Sequence, residues 1–231
     1  LPICSDATIC ESDISYALSG TATGYSSLLW TTSGTGTFSN INMEDPVYTP
    51  SAADIASGSV TLTLTAFGVT PCGNAQASMV LTIDRQPLAD AGSDQTLCST
   101  AGSLTSTDAT ASHYTGLLWS HNGTGSLTGE TTLTPTYTFG AGETGTVTLT
   151  LTASPASGSA CADAIDEMTL TIVPMATVYA GNNDTVCESS VSYPMHGATA
   201  SNAATVLWTT SGTGTFNNIF NLNPIYTFSQ A

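Results

Sequence analysis

The stretch "LLWTTSGTGTF", residues 28–38, decides how the chain is read. Closely spaced glycines, small hydroxyl residues between them and an apolar lead-in give it the look of a loop that cradles phosphate. The same words return as "LLWSHNGTGSL" from Leu117 and "VLWTTSGTGTF" from Val206. A segment that recurs along one chain is architecture before it is a ligand site. A phosphate loop also needs a helix N-terminus behind it and usually a lysine, and this stretch has neither. Gly34-Thr35-Gly36 is therefore read as a hairpin turn whose glycines supply positive φ, with Phe38 leading the return strand.

The recurrence has a fixed step. Trp30, Trp119 and Trp208 stand 89 residues apart, as do Tyr48, Tyr137 and Tyr226, and Pro46, Pro135 and Pro224. Met79 and Met168 keep the step, and so do Ile83 and Ile172. Between Pro46 and Cys72 the second copy loses two residues and regains two, in the turns around "TLTLTA". A unit of this size buries its own core, unlike a solenoid unit. The expected modules are 1–86, 87–173 and a partial third at 174–231. The third has nothing equivalent to "GTVTLTLTA" or "EMTLTI". Either the sequence continues past Ala231, or another chain supplies the missing strands by β-strand addition.

Composition sets the class. Apolar residues make up 41% of the 231, and they alternate in "SVTLTLTA" (59–66), "SMVLTI" (78–83), "GTVTLTLTA" (145–153) and "EMTLTI" (167–172). That is the period of strands with one buried face, so the chain is read as all-β and not disordered. Only "SAADIA" (51–56) and "ADAIDE" (162–167) offer a helical turn. Seventeen acidic residues face one basic residue, Arg85, for a net charge of −16, yet only 8% of residues are charged. A chain without a cationic stripe is a poor partner for nucleic acid or for an anionic membrane surface. No apolar run reaches the length of a membrane span, so direct membrane insertion is not expected. The start at Leu1, without a leader, reads as a processed or partial chain.

Six cysteines are present, and five fall on repeat positions: Cys10, Cys98 and Cys187 on one, Cys72 and Cys161 on another. The economical pairing is one bridge within each complete module, Cys10–Cys72 and Cys98–Cys161. Each would close a loop of about sixty residues, on the order of 4 kcal/mol in the chain-entropy model. Cys4 and Cys187 remain, unpaired within these residues: either Cys187 pairs with a residue beyond Ala231, or Cys4 and Cys187 bond between successive chains. Disulfides of this kind imply an oxidising, extracellular compartment.

The ordered set "ADAGSDQTLC" (89–98), "LLWTTSGTGTF" (28–38), "PVYTPSAADIASGSVTLTLTA" (46–66) and "ASMVLTI" (77–83) resembles the PKD-like, immunoglobulin-like tandem repeats of very large surface proteins of gliding Bacteroidota. The resemblance runs the length of the chain. It implies tandem β-sandwiches of about seven strands each, arranged as a rod, and export to the cell surface. In such a sandwich Trp30, Trp119 and Trp208 and Tyr48, Tyr137 and Tyr226 occupy the core.

No catalytic constellation repeats, so no catalytic or cofactor-binding residue is named and the chain is read as a non-enzyme. Calcium is the one candidate cation, at Asp90 and Asp94, where the competing reading is a turn carboxylate that accepts backbone N–H bonds. Asp184-Thr185-Val186 resembles the short O-glycan signal of exported Bacteroidota proteins, which makes Thr185 a glycosylation candidate. The linkers "TIDRQPLADAG" (82–92) and "TIVPMATVYAG" (171–181) each carry a proline and no Gly/Ser tract, so they are expected to bend little. The function expected is a stalk or filament subunit whose partner is a further copy of itself. Alternatives are an adhesive arm for glycans or other cells, and accessory repeats of a secreted hydrolase.

Overall fold

The computed structural model describes residues 5–229. Cys4 lies outside them. The chain is all-β, built as immunoglobulin-like sandwiches in tandem. The first comprises β1 (Ala7–Cys10), β2 (Tyr16–Ala17), β3 (Tyr25–Thr32), β4 (Thr37–Phe38), β5 (Val47–Thr49), β6 (Ser59–Gly68) and β7 (Ala75–Asp84). One sheet runs β1-β7-β6-β3 and the facing one β2-β5-β4. The period of two in "SVTLTLTA" and "ASMVLTI" drives Val60, Leu62, Leu64, Met79, Leu81 and Ile83 to one face. There they close on Trp30 and Tyr48, which are 2% and 0% exposed.

The second sandwich comprises β8 (Leu88–Asp90), β9 (Gln95–Cys98), β10 (Ser103–Thr105), β11 (Thr110–Ser112), β12 (Gly116–His121), β13 (Ser126–Thr128), β14 (Thr136–Thr138), β15 (Gly145–Ser154) and β16 (Ala164–Val173). Its sheets β12-β15-β16-β9 and β10-β14-β13 repeat the order of the first, and β8 pairs with β11. Trp119 and Tyr137 are buried with Val147, Leu149, Leu151, Met168, Leu170 and Ile172. The expected helical turn at 162–167 is instead the start of β16. "SAADIA" does form a short helix, α1 (Ala52–Ser57).

The third unit has β17 (Thr177–Tyr179), β18 (Ser192–Pro194), β19 (Thr199–Ser201), β20 (Thr215–Phe216) and β21 (Ile225–Thr227). Its sheet β18-β21-β20 matches β10-β14-β13, but the stretch around Trp208 pairs with no strand among the described residues. The local geometry survives. The indoles of Trp30, Trp119 and Trp208 each donate to a carbonyl thirteen residues on, of Met43, Thr132 and Asn221, at 2.9, 2.9 and 3.0 Å. What is missing is the cover. Trp208 and Tyr226 are half-buried, contrary to the core position expected for them, because the counterparts of β15 and β16 that would bury them are not among the described residues.

The disulfide pairing differs from the expectation. Cys10 is bonded to Cys161, across sandwiches, with Cα atoms 4.8 Å apart, while Cys72 and Cys98 are free. Strand direction explains this. β1 lies parallel to β7, with Cys10 opposite Asp84 at the far end of that strand. Cys72 sits in the β6–β7 hairpin, three residues ahead of Ala75. Ten residues of strand separate the two poles by about 30 Å, whereas a bridge needs Cα atoms within about 7 Å. Cys98 opposite Val173, and Cys161 ahead of Ala164, are kept apart in the same way. Cys10 therefore reaches the nearer pole of the next sandwich.

Unequal burial of the repeated indoles gives a test. Trp119→Ala should lower the stability of its sandwich by about 3–5 kcal/mol. Trp208→Ala should cost the third unit less than half of that. Urea unfolding monitored by the fluorescence of the remaining tryptophans measures both.

Candidate functional site

Two places concentrate polar chemistry: the glycine arches and the junction between the first two sandwiches. Gly34-Thr35-Gly36 is not the hairpin turn the sequence suggested. It carries the chain from β3 in one sheet to β4 in the other, so the strands on either side of it are not paired. Nor do its glycines have positive φ. They are glycines because the space is taken. A Cβ at Gly34 would collide with the Asp54 carboxylate and Val60, and one at Gly36 with the Tyr48 hydroxyl and the Thr49 carbonyl.

The arch does hold an anion, and the anion belongs to the chain. Asp54, 2% exposed, accepts from the Thr35 N–H at 2.9 Å, the Ser51 N–H at 2.9 Å and the Tyr48 hydroxyl at 2.8 Å. Ser51 and Asp54 also cap α1 reciprocally. Burial alone would raise the Asp54 pKa. The N–H groups of Ser51 and Thr35, with the Tyr48 and Ser51 hydroxyls, outweigh it and hold the carboxyl below its ordinary value. Tyr48 is pushed up, by burial and by the carboxylate it faces.

In the second sandwich Glu143 takes the same part. It accepts from Thr124 N–H at 2.6 Å, Gly140 N–H at 2.7 Å and the Tyr137 hydroxyl at 2.8 Å, and it too is held below its ordinary value despite the opposing effect of burial. The helix behind it is gone, deleted with the two residues that this copy lacks, yet the acid keeps the 89-residue step. Asp54 and Glu143 escape a reading of the sequence because they differ in type. Their shared register with the glycines is the available signal.

At the junction, Glu11 beside the bridged Cys10 accepts from the Gln86 N–H at 2.9 Å and pairs with Arg85 at 3.1 Å. Asp84 accepts from Ala160 N–H at 3.1 Å, and the Gln86 side chain donates to the Ala162 carbonyl at 3.2 Å. The only Lys or Arg of the sequence is thus engaged at the linker.

The carboxylates expected as calcium candidates are engaged with backbone. Asp94 accepts from Thr169 N–H at 2.7 Å, and Asp6 from Val80 N–H at 2.8 Å at the equivalent place. Asp90 accepts from Gly92 N–H at 2.9 Å. Among the described residues no group of three or more His, Cys, Asp or Glu side chains is placed to hold a metal. Asp184, without the strand that Asp94 pins, accepts from Thr185 N–H and the Tyr193 hydroxyl; Thr185 itself is exposed.

Both clamps titrate in one direction. Folded values below the unfolded ones mean that their stabilisation is present above the ordinary carboxyl values, 3.8 for Asp54 and 4.5 for Glu143, and is lost as pH falls through the lowered folded values. Thermal midpoints should hold steady at neutral pH and drop below about pH 4. Asp54→Asn with Glu143→Gln should flatten that acid slope and cost about 1–3 kcal/mol per site at neutral pH, since each amide turns a donor toward other donors. Gly36→Ala should destabilise by about 1–3 kcal/mol through overpacking and weaken the acid slope as well, because the added methyl meets the Tyr48 hydroxyl and the Asp54 carboxylate.

No family model matches the chain, and no curated protein matches its sequence. Solved structures similar to it include protocadherin gamma B7 extracellular cadherin domains 1–4, at 12% identity and a TM-score of 0.42, over 98% of this chain and 66% of that one. The insect immune protein hemolin is similar at 16% identity and a TM-score of 0.45, over 74% of this chain and 46% of that one. Drosophila OTK extracellular domains 3–5 are similar at 11% identity and a TM-score of 0.37, over 73% and 59%. The chain spans less than two thirds of each of these structures.

Proposed function

We propose that the chain is an extracellular, non-catalytic structural element, a semi-rigid stalk or filament subunit of PKD-like modules at 1–86, 87–173 and 174–231. The observation that carries the reading is the covalent bridge from Cys10 to Cys161, which ties one module to the next; beside it, the inner face of the third module is uncovered among the described residues. Val178, Val206 and Trp208 line a groove of about 330 Å³ there, with Val178 77% exposed. In the first two modules the matching face is closed by a pair of ten-residue strands. A half-sandwich with an exposed apolar face and unpaired edge has a strong drive to acquire strands. A continuation of the chain or strand addition by a second copy meets it equally, and either extends the assembly.

The surface suits such a part. Thr, Ser and Asn dominate it and charge is sparse, so the module faces carry little that salt screens. A covalent bridge across the first junction fits an oxidising compartment. Electron microscopy of the purified native material should show rods or fibres with a uniform axial repeat. Separate compact particles at every concentration would overturn the reading.

A further inference from the structure

In a chain built of repeats, residues that break the pattern stand out against those that maintain it. The first linker reads Asp84-Arg85-Gln86 where the second, 89 residues on, reads Val173-Pro174-Met175. The turn ahead of the tryptophan strand reads His113-Tyr114 in the second module and Asn202-Ala203 in the third. Both departures meet at the first junction. They border a cleft of about 470 Å³, with Thr82, Asp84 and Arg85 on one side and His113, Tyr114 and the β15–β16 hairpin on the other.

The walls of the cleft are fixed in place. The hairpin is held to the first module by the Cys10–Cys161 bond and by Asp84, which accepts from Ala160 N–H at 3.1 Å. The Thr115 hydroxyl donates to the Pro155 carbonyl at 2.8 Å, tying the hairpin to the turn beside it. All three modules pass through the left-handed region in that turn, with Gly24 at φ 69°, His113 at 56° and Asn202 at 55°. Glycine and asparagine take this conformation with the least strain, so the turn itself does not call for an imidazole. The polar groups around the cleft are largely uncommitted. Arg85, its side chain 47% exposed, places Nη1 on Glu11 at 3.1 Å, and its other nitrogens make no hydrogen bond among the described residues. The His113 ring and the Tyr114 hydroxyl make none either.

We propose that this cleft binds a neutral saccharide. Sugar hydroxyls both donate and accept. They match a rim where Arg85 and His113 stand with the Asp84 carboxylate and the hydroxyls of Thr82 and Ser157. The Tyr114 ring offers an apolar face to the C–H side of a pyranose at little cost in side-chain entropy. An anionic ligand fits less well. Glu11 already neutralises Arg85, Asp84 lies on the same wall, and the whole chain carries a charge of −16. Walls already in place spare binding the cost of ordering them. The site lies between two complete modules, goes beyond the stalk reading and is tested separately from it.

Calorimetric titration of the full chain with cellopentaose, chitopentaose and mannopentaose should find binding by at least one of them. Saturation-transfer NMR should then mark its ring C–H protons as the contact. His113→Asn combined with Tyr114→Ala installs the pair that the third module carries in the same turn, so the fold is kept and the thermal midpoint should not move. Affinity in that variant should fall about tenfold or more. Binding by none of the three sugars, binding unchanged in the double variant, or tighter binding of trigalacturonate than of any neutral sugar would overturn the proposal.

Discussion

A short parallel pairing governs the arrangement of each complete sandwich. Four residues, Ala7–Cys10 or Gln95–Cys98, lie alongside the end of the last long strand. The pairing closes the sheet edge, and the carboxylate just ahead of it, Asp6 or Asp94, is tied to that strand's backbone. It also fixes direction. With β1 parallel to β7, the residue that ends β1 must emerge at the pole where the chain leaves for the next module. The bridge, the Glu11 hold on the linker and the contacts of Asp84 all depend on that one choice of direction. An antiparallel edge would have brought Cys10 toward Cys72 and left the modules unjoined.

The glycine arch shows how a loop can bear the marks of an anion site and serve packing. Its N–H groups do converge on negative charge, as a phosphate loop's would. The charge is supplied from nineteen residues further along the same chain. That carboxylate also engages the buried tyrosine, so arch, aromatic core and succeeding loop are one hydrogen-bonded unit. The second module keeps this unit while losing α1, which marks the acid, and not the helix, as the part the arch requires.

Much of this is legible from residues alone. Strict alternation around "TLTLTA" places every long strand, because a period of two leaves little choice of face. The 89-residue step locates each indole and each tyrosine. Sequence reading fails where partners are set by three-dimensional direction. Cys10 and Cys72 are the economical pair by count, and only the parallel register separates them. Gly34 and Gly36 look like positive-φ residues because hairpins are the commonest use of such spacing, whereas crowding by Asp54 and Tyr48 is invisible until the sheets face each other. Repetition places the third module's indole in a core, although repetition says nothing about cover that lies elsewhere.

The link between Cys10 and Cys161 has a mechanical corollary. Its ends are 151 residues apart in sequence and adjacent in space. Tension drawn along the backbone from one terminus to the other passes through the sulfurs at that point and skips the loop they enclose. β2 to β7, and every strand of the second sandwich except β16, lie inside that bypass and bear no pull. Only the short first strand, the last long strand of the second sandwich and the third unit are in the line of load. Most of the first core is thereby shielded from stretching, whereas the second is loaded through β16, whose Met168, Leu170 and Ile172 belong to it.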